Sequence, residues 1–572
     1  MRSVPSYHGP PVAVIGNGPV GQTAALLLAR WGIPSVLLDA RPERDLVGSK
    51  AICQQRDVLD VWAAVGAGRI AEEGLTWTTA RTFYREHELF AWSFVDRGRS
   101  PLPPFVNISQ CRAEQILDGR IAAQPLIDVR WGHEVTGLAQ DAAGVTLSCA
   151  TADGEAELRA CYAIAAAGAR GDRIRRMLGV SFAGHTFDDR FLICDIRAGL
   201  PGWETERRFY FDPACNPDRQ VLVHPCPDST YRIDWQVPAE FDLDAEEASG
   251  ALDARIRKII GERPYDIIWK SVYRFHARHV DRMRVGRVLL AGDCAHLVAP
   301  FGARGLNSGV PDAENAAWKL AFVLHGWAPQ ALLESYHEER MAAALENIDV
   351  TSATMQFLVP RSEREWHSRR QLLAAAVSDP QARARVDSGR FAEPFWYVDS
   401  PLTTPNPARP FPGRPPRGQM PPPAPGVIVP DGPIAVAGQP GVRRLCELVR
   451  DGLLILTTDG VDADVTAAAV KECTEAPQRV MRIADIDVAG AVAAALDARP
   501  GEAWLIRPDG HVAAIITDAA PGDVQAAVRR VLGELSAGRG RGRDAPVQGS
   551  SERHVLTHRE QPGAGQHACG RG

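Results

Sequence analysis

Three glycines near the amino terminus have the spacing of a phosphate-binding loop. They are Gly16, Gly18 and Gly21, in the pattern G-x-G-x-x-G. The first permits a tight turn, the second lets the backbone approach a pyrophosphate at a helix N-terminus, and the third lets helix and strand pack closely. Asp39, eighteen residues past Gly21, stands where a carboxylate accepts hydrogen bonds from ribose hydroxyls. The pattern predicts a dinucleotide site, with a structural turn as the alternative. Its other candidate contacts are Pro19, Val20, Ala40 and Arg41.

A second stretch places polar and small residues where an ordinary strand-to-helix loop needs none. Residues 287–320 read RVLLAGDCAHLVAPFGARGLNSGVPDAENAAWKL, beginning as a buried strand and ending as a helix. Asp293, His296 and Pro300 lie between the two, among several glycines. The structural alternatives are a helix cap for Asp293 and core packing for His296. Asp312 and Asn315 fit bracing of the following helix better than ligand contact. The loop is a second candidate ligand site.

The elements around these loops determine where they lie. The first loop follows a strand at residues 12–15 and precedes a helix that ends at Gly32 and a second strand closed by Asp39, which is the order of a βαβ unit. Alternating runs dominate residues 184–275 and predict an antiparallel sheet. Helical patterns occupy residues 310–328 and 330–358. The predicted class is α/β, and α+β over the whole chain. A split Rossmann-like domain, residues 1–183 and 276–400, holds the inserted sheet domain, residues 184–275.

Composition divides the rest of the chain. Residues 401–433 hold 13 of the 43 prolines and predict an extended connector between domains. Residues 434–535 contain strand-like runs such as LLILTT and AWLIRPDGHVAAII, separated by Ala-rich helical stretches, which predicts a small α/β domain. Residues 536–572 have almost nothing to bury and predict a disordered tail.

Overall composition excludes several classes of function. Lys+Arg 64 against Asp+Glu 70 gives a formal net charge of −6, which offers no basic surface for nucleic acid or for an anionic membrane. The 11 cysteines form no C-x-x-C pair and no regular His/Cys spacing, so they predict reduced thiols in a cytoplasmic protein and no metal site. No apolar run approaches the ~18 residues that a membrane span needs. A small-molecule site is expected.

The glycine motif alone does not choose between FAD and NAD, but its combination with the second loop does. Together, the motif and GDCAHLVAPFGARGLNSGVPDAENAAWKL resemble the flavin-dependent aromatic hydroxylases of the para-hydroxybenzoate hydroxylase type, over roughly residues 11 to 350. The resemblance implies bound FAD, a split FAD-binding domain and a substrate domain formed by the inserted sheet.

The resemblance assigns the second loop to the flavin half of FAD. Its glycine–aspartate pair would end a strand beneath the ribityl chain, and the aspartate would accept a ribityl hydroxyl. The proline would lie beside the flavin ring, and main-chain N–H groups at the helix start would reach the pyrimidine edge. The positive end of that helix would stabilise negative charge at the flavin N1–C2=O locus. The implied contacts are Gly292, Asp293, Pro300, Gly302, Gly305, Leu306 and Asn307.

Two further segments carry the resemblance. KAICQQRDVLDVWAAVG places Arg56 where family members keep an arginine close to the flavin. NISQCRAEQILDGRI places Gln110 at a helix start whose glutamine faces the ring. A solvated helix end for Arg56 and an ordinary helix cap for Gln110 are the structural alternatives. Both residues join the implied flavin contacts.

One family fingerprint is altered. Relatives usually carry Asp-Gly-x-x-Ser-x-x-Arg near the end of the first α/β portion, and here the segment reads AAGARGDRIRRMLGV. Ala167 replaces the aspartate, Gly171 replaces the serine, and one extra residue precedes Arg175. That motif serves both flavin and reduced-nicotinamide binding, so the alteration leaves the route of the hydride open. Asp172 either compensates or belongs to a structural loop.

The small carboxy-terminal domain, residues 434–535, resembles the thioredoxin-like appendage of phenol hydroxylase and phenylpropionate hydroxylase relatives. The segments RLCELVRDGLLILT and AWLIRPDGHVAAI carry this resemblance. Cys446 and Cys473 cannot form the C-x-x-C that thioredoxin chemistry needs. A structural or dimer-contacting domain is expected, with a homodimer as the implied assembly.

The implied function is an FAD-dependent monooxygenase. NAD(P)H would serve as a transient reductant and O₂ would add to form a flavin C4a-hydroperoxide, which hydroxylates a phenolic or polyketide-like aromatic substrate. Baeyer–Villiger oxygenation, epoxidation, a non-catalytic flavin-binding protein and an NAD-linked dehydrogenase are the alternatives. No catalytic side chain is identified. The substrate-pocket candidates on the inserted sheet are Arg208, Tyr210, His224 and Trp235, for which core packing is the alternative.

Overall fold

The computed structural model describes residues 7–48, 51–93, 100–415 and 419–534. The predicted tail, residues 536–572, lies outside the described residues. The strands, in chain order, are β1 (Val12–Ile15), β2 (Ser35–Leu38), β3 (Cys53–Gln55), β4 (Thr79–Tyr84), β5 (His87–Ser93), β6 (Phe105–Asn107), β7 (Ile127–Arg130), β8 (Glu134–Gln140), β9 (Val145–Thr151), β10 (Gly154–Ala160), β11 (Tyr162–Ala165), β12 (Phe182–Ala198), β13 (Glu206–Phe211), β14 (Gln220–Cys226), β15 (Thr230–Val237), β16 (Tyr265–Val280), β17 (Arg284–Val285), β18 (Val288–Leu290), β19 (His296–Leu297), β20 (Leu453–Thr457), β21 (Gln478–Arg482), β22 (Ala503–Ile506) and β23 (Val512–Ile516).

Helices are interspersed with the strands along the chain. They are α1 (Pro19–Arg30), α2 (Arg56–Ala64), α3 (Arg69–Glu73), α4 (Gln110–Ala122), α5 (Asp172–Leu178), α6 (Leu243–Ala248), α7 (Ala251–Ile260), α8 (Arg304–Leu324), α9 (Glu334–Leu358), α10 (Glu363–Ala376), α11 (Pro380–Ala384), α12 (Ala463–Lys471), α13 (Ile483–Ile486), α14 (Ala491–Leu496) and α15 (Pro521–Val531). Across the described ranges, no helix combines the length and apolar character needed to cross a membrane.

The split Rossmann-like domain is confirmed by a six-stranded sheet in the order β17-β18-β11-β1-β2-β7. Its neighbouring strands are parallel except for the β17–β18 pair. β1 is completely buried, as its sequence VAVI predicts for a central parallel strand. β18 joins this sheet only after strands β12 to β16 of the inserted sheet, so the domain is built from two distant parts of the chain. A separate three-stranded antiparallel sheet contains β8, β9 and β10.

The inserted sheet is larger than the alternating runs indicate. It has eight strands, in the order β19-β16-β12-β15-β14-β13-β4-β5. Its outer face packs against α7, and its inner face packs against α9, α10 and the loop at Phe301. β4 and β5 come from residues that the sequence assigns to the first Rossmann portion, and β4 pairs in parallel with β13. Pairing between segments so far apart leaves no local signal.

The proline-rich connector packs against its neighbours. Its described residues contain no helix and only isolated bridges, as its prolines predict. Ala424 and Val427 are nevertheless buried with Trp396, and the Thr404 N–H donates to the Ala513 carbonyl at 2.8 Å. This segment therefore lies along the carboxy-terminal domain, where the sequence predicts an extended connector.

The carboxy-terminal domain has the thioredoxin-like arrangement. Its sheet has the order β21-β20-β22-β23. β20 and β21 are parallel, whereas β22 and β23 run antiparallel to their neighbours. The two sides of β20 alternate between a core around Trp504 and a core around α12 and α15. The predicted fold class is therefore confirmed for both ends of the chain.

Candidate functional site

Two glycines of the first loop are required by the fold. Gly16 has a φ of +110°, and a Cβ placed there would lie 2.3 Å from the carbonyl oxygen of Ala166. A Cβ at Gly21 would lie 1.9 Å from the carbonyl oxygen of Gly16. A side chain at either position would collide with backbone, because β1, α1 and β11 approach closely here. The predicted steric reasons for these two glycines are present in the structure.

Gly18 differs because the fold itself does not require a glycine there. It precedes α1 with a φ of −93°, and Pro19 is the first helical residue. Apart from its chain neighbours, no atom of the described residues lies within 4 Å of a Cβ built at Gly18. The position opens onto free space at the positive end of α1, where helices bind phosphate groups. A pyrophosphate therefore fits this loop.

Asp39 follows β2 directly and presents an ionised carboxylate to the loop. Its Oδ2 accepts a hydrogen bond from the Asn17 N–H at 2.9 Å, and its Oδ1 accepts one from the Arg41 N–H at 2.9 Å. The Arg41 guanidinium pairs with the same carboxylate at 2.9 Å. Burial alone would raise the pKa of Asp39, but the donors from Arg41 and Asn17 outweigh burial and lower it. Ala40, between the two charged residues, is exposed.

The two predicted loops meet at Val20. The 3-10 turn Gly292–Cys294 follows β18 and faces the start of α1. A Cβ at Gly292 would lie 3.1 Å from Val20 Cγ2, and a Cβ at Gly309 of α8 would lie 2.7 Å from the same carbon. The backbones of α1, the turn and α8 are therefore in close contact. A single extended ligand that lies along Gly18 and Gly292 would touch both loops.

Asp312 braces the second loop. Its buried carboxylate accepts hydrogen bonds from the Gly292 N–H at 2.9 Å and from Arg340 Nε at 2.6 Å, and it contacts His296 Nε2 at 2.7 Å. Burial alone would raise the pKa of Asp312, but Arg340 and His296 lower it. His296 and Asp312 therefore hold the structural roles described above as alternatives. Arg340 comes from α9, and no sequence motif indicates it.

The other predicted flavin contacts of this loop differ in their exposure and in the space around their backbone. Asp293 and Pro300 are both exposed. Gly302 has a φ of +94°, and a Cβ there would lie 2.0 Å from the Arg390 carbonyl oxygen. The nearest atom to a Cβ at Gly305 would be 3.9 Å away. The loop therefore bends sharply at Gly302 and has space at Gly305.

Asn307 fastens α8 to β3. Its Oδ1 accepts a hydrogen bond from the Gln55 N–H at 3.0 Å, and its Nδ2 donates to the Cys53 carbonyl at 2.9 Å. The side chain is committed to the protein, which is consistent with the predicted use of main-chain groups near Leu306 and Asn307. α8 runs for 21 residues from Arg304, so its N-terminus carries a partial positive charge.

Arg56 and Gln110 begin α2 and α4. Arg56 Nε donates to the Leu102 carbonyl at 2.7 Å. Gln110 Oε1 accepts from the Ala51 N–H at 3.1 Å, and its Nε2 donates to Glu114 at 2.9 Å. Both side chains thus brace backbone around β3, which differs from the solvated helix end and the helix cap given above as their alternatives. Contact between either residue and the flavin stays a prediction.

The substrate-pocket candidates divide between the two faces of the inserted sheet. Arg208 lies over the Trp203 ring at 4.2 Å, and Tyr210 stacks on Phe83 at 4.7 Å. Trp235 is fully buried in the outer-face core against α7. These three residues lie on the face of the sheet opposite to His224 and to the loop at Phe301, and their contact with a substrate stays a prediction. Side chains alternate along a strand, and a strand buried on both faces does not show which face is the inner one.

Of the four candidates, His224 alone lies on the inner face. Beside it lie Arg207 and Asp234, which sequence reasoning missed, and the His224 Nε2 is 3.7 Å from Asp234 Oδ2. Burial lowers the pKa of His224 well below its ordinary value. Burial also raises the pKa of Asp234 to about 7. Arg207 directly precedes Arg208 in the same strand, so its side chain lies on the opposite face of the sheet.

The segment with the altered fingerprint, residues 167–175, is hydrogen-bonded to the second loop. Arg175 is buried, donates to the Cys294 carbonyl at 3.0 Å and pairs with Asp172. A Cβ at Gly171 would lie 2.6 Å from Cys294 Sγ. The thiol therefore occupies the space that a serine side chain would need, and Asp172 is used within the loop. Ala167 supplies no polar side chain at the start of this segment.

Comparison with known proteins agrees with this geometry. The family described as FAD binding domain matches residues 10–351, and the family described as aromatic-ring hydroxylase, C-terminal, matches residues 422–534. A flavin-dependent monooxygenase from Mycobacteroides abscessus is 33% identical over 357 residues, or 58% of this chain and 71% of that protein. A 3-(3-hydroxy-phenyl)propionate/3-hydroxycinnamic acid hydroxylase from Burkholderia vietnamiensis is 31% identical over 401 residues, covering 69% of this chain and 71% of the relative.

Two solved structures show the same fold. The flavin-dependent monooxygenase PieE, in complex with FAD and substrate, has a TM-score of 0.77 at 24% identity and covers 92% of this chain and 99% of its own. Aklavinone-11 hydroxylase, with FAD and aklavinone, has a TM-score of 0.72 at 24% identity, with coverage of 93% and 100%. Both family matches and the arrangement of the two loops lead to one conclusion. The chain belongs to the FAD-dependent aromatic-ring hydroxylases, a family of flavoprotein monooxygenases.

Proposed function

We propose that the protein hydroxylates a phenolic aromatic substrate, using FAD, O₂ and a reduced nicotinamide as electron donor. The observation that carries this proposal is the contact of the two loops at Val20, with open space in front of Gly18. When bound, FAD supplies the redox chemistry that activates O₂, while the chain supplies binding, orientation and exclusion of water. The residues present fit that group at both of its ends.

Each end of the cofactor has its own residues. Gly18 and the start of α1 would hold the pyrophosphate, and the ionised carboxylate of Asp39 would hold the adenosine ribose. Asp293 would hold the ribityl chain. The N-terminus of α8, reached through Gly302, would stabilise negative charge on the ring.

The substrate would lie between the inner face of the inserted sheet and the loop at Phe301. The Phe209 and Phe301 rings, with centroids 6.3 Å apart, provide an apolar wall that limits the entry of water. One relative is named for acting on 3-(3-hydroxyphenyl)propionate and one structural neighbour holds aklavinone. A phenol with either a carboxylate side chain or a polycyclic skeleton is therefore the expected class of substrate.

A location and an assembly complete the proposal. The ten cysteines among the described residues are all free, which supports a reducing, cytoplasmic compartment. The thioredoxin-like domain remains the candidate contact for a homodimer.

The test of the function is incubation of the yellow protein with ¹⁸O₂, NADPH or NADH and phenolic acids or polycyclic phenols. One labelled hydroxyl on an intact ring is expected, whereas a ring-expanded ester or an epoxide would show a different oxygenation.

We expect hydride transfer from NADPH or NADH to be slow in the free enzyme and roughly tenfold or more faster with substrate bound, which is about 1.4 kcal/mol of barrier. Ala167 lacks the carboxylate of the altered fingerprint. Docking of the nicotinamide must then draw on the energy of substrate binding. Anaerobic stopped-flow spectroscopy with and without phenols, phenylpropionates and polycyclic phenols measures the rates.

The matched variant for this prediction is Ala167→Asp, which restores the missing carboxylate. We expect it to raise the rate without substrate while leaving the rate with substrate little changed. Rapid reduction of the unmodified enzyme without any ligand would contradict the prediction, because the altered fingerprint would then be sufficient for hydride transfer.

Replacing Asp293 with alanine is expected to weaken FAD binding by roughly 10–150-fold, the equivalent of about 1.5–3 kcal/mol for a hydrogen bond to a charged group. Asp293→Asn, which keeps one acceptor oxygen, should lose less. Titration of the apoprotein with FAD, followed by flavin fluorescence, gives both affinities. An unchanged affinity in the alanine variant would mean that Asp293 serves only the turn in which it lies.

A further inference from the structure

A row of ionisable side chains crosses the inner face of the inserted sheet. Arg232 of β15 lies opposite His224 of β14 on one side and opposite Asp195 of β12 on the other. In the next strand, Arg208 lies opposite Val223, so Arg207 continues the row beside His224. Asp234 lies two residues beyond Arg232. Charged groups are rarely buried in a sheet unless each has a partner, so the pairing within the row is informative.

The two arginines of this row differ in their partners. Arg232 forms a two-pronged ion pair with Asp195, at 2.8 and 2.9 Å. Arg207 is only 3% exposed, yet among the described residues it forms no ion pair or side-chain hydrogen bond, and its Nε is buried without a partner. Burial lowers the pKa of Arg207 to about 10, so the side chain is still a cation at neutral pH. Arg207 is thus a buried positive charge that no anion among the described residues contacts.

The side chains that the structure describes around Arg207 do not supply that anion. Its guanidinium lies 4.9 Å from the centre of the Phe391 ring and 5.4 Å from that of Phe209. Ring contacts of this kind recover only part of the cost of removing a cation from water. Asp234 is near enough to act on Arg207 electrostatically, but its own burial raises its pKa to about 7, and its Oδ1 has no hydrogen-bond partner within the described ranges.

Arg207 also lies next to the loop that the proposed function assigns to the flavin. The Phe391 carbonyl accepts a hydrogen bond from Arg304 Nη2 at 2.9 Å, at the first residue of α8. The Ala392 N–H donates to the Gly302 carbonyl at 2.7 Å. One aromatic ring therefore separates the guanidinium from the bend of the second loop.

We propose that Arg207 is a specificity-determining residue that binds an anionic oxygen group of the aromatic substrate, with His224 and Asp234 beside it. This inference rests on the proposed function and specifies its substrate. A carboxylate side chain and an ionised phenol present the same chemistry to a guanidinium, namely oxygen acceptors with negative charge. Such a group would supply the partner that Arg207 lacks and would orient the aromatic ring towards the second loop.

The test compares anionic and neutral probes on the FAD-loaded protein. The first pair is 3-(3-hydroxyphenyl)propionate and its methyl ester, and the second is 1,8-dihydroxyanthraquinone and its dimethyl ether. Dissociation constants come from the change in flavin absorbance on titration. Arg207 is expected to bind either the carboxylate of the first pair or the phenol oxygen of the second. For that pair, Arg207→Met should weaken binding of the anionic probe by roughly 10–150-fold. Its neutral counterpart should change by less than about threefold, since it forms no charge-assisted bond.

The chain offers a matched control on the adjacent residue. Arg208 faces the opposite side of the same strand, where Glu206 pairs with it at 2.8 Å. Arg208→Met should leave both members of each probe pair unchanged. Arg207→Lys, which keeps the charge but loses the two-pronged geometry, should fall between wild type and Arg207→Met and provides the answer if the methionine variant does not fold.

The outcomes separate this inference from the function on which it rests. A selective loss for the carboxylate pair or for the phenol pair supports the role of Arg207 and identifies the source of the anion. Equal weakening of anionic and neutral probes, or a wild type that does not prefer the anion in either pair, overturns it. A wild type that binds the anion through Arg207 but yields no hydroxylated product retains the anion site and refutes the proposed hydroxylation.

Discussion

Gly18→Val should yield a folded, colourless protein whose affinity for FAD has fallen by roughly 100-fold or more, which is about 2.7 kcal/mol. Within the part of the chain that the structure describes, a Cβ at Gly18 meets no atom within 4 Å apart from its chain neighbours. Its φ of −93° is ordinary for any residue. The substitution therefore costs the apoprotein little, whereas the branched side chain fills the space in which the pyrophosphate would approach the backbone. Flavin content after purification and titration of the apoprotein measure the loss.

Other glycines supply the controls for this experiment. Gly119 on α4 also has open space around a built Cβ, so Gly119→Val should keep full FAD content. Gly16→Ala and Gly21→Ala would place a Cβ 2.3 and 1.9 Å from backbone oxygens, so both should destabilise the fold as well as reduce flavin content. Full FAD occupancy in Gly18→Val would refute the assignment of this loop to the pyrophosphate.

The first loop could be predicted from sequence because part of what it requires is local. Gly21 is required by contact with the backbone of Gly16, and the G-x-G-x-x-G spacing reflects that contact, whereas the contact of Gly16 with Ala166 joins distant parts of the chain. The second loop could be assigned through a resemblance that spans the whole segment. In contrast, the contact of Gly292 and Gly309 with Val20 is a consequence of the tertiary structure.

The inner face of the inserted sheet could not be predicted for a physical reason. β14 and β15 are buried almost throughout, so hydrophobic alternation does not mark one face as the outer one. A shift of one residue along a strand exchanges the faces, so the sequence pattern does not distinguish Arg207 from Arg208 as the inward residue. Asp234 lies close to Arg207 and His224 only in the folded sheet. Residues that act through such cross-strand rows leave no signal along the chain.

The interface between the Rossmann-like domain and the thioredoxin-like domain contains a second group of buried charges, centred on Arg507. This arginine is fully buried and pairs with Glu339 of α9 at 2.5 Å and with Asp509 at 2.6 Å. Lys319 of α8 pairs with the same glutamate at 2.6 Å. Burial alone would raise the pKa of Glu339, but Arg507 and Lys319 hold it well below its ordinary value. The two domains are therefore joined by ion pairs whose members depend on one another.

Arg507→Met should lower the free energy of unfolding by about 3–5 kcal/mol at pH 7, because it leaves Glu339 and Asp509 buried with incomplete partners. Urea unfolding followed by tryptophan fluorescence measures this loss, since Trp318 and Trp504 are buried at or near the interface. Arg482→Met is the control. Its arginine is 49% exposed and 3.6 Å from Asp459, so the loss should stay below about 1 kcal/mol.

The pH dependence of Arg507→Met separates a lost ion pair from lost packing. The folded-state pKa of Glu339 is depressed, so its contribution to stability is fully present above the unfolded-state value of about 4.3 and is lost as the pH falls below it. The wild type should therefore lose stability as the pH falls from about 4.3 towards the depressed folded-state pKa of Glu339, faster than Arg507→Met, and the two should converge in that range. A difference that stays constant over this range would mean that the methionine side chain only packs poorly, and that the charge of Arg507 does not hold the domains together.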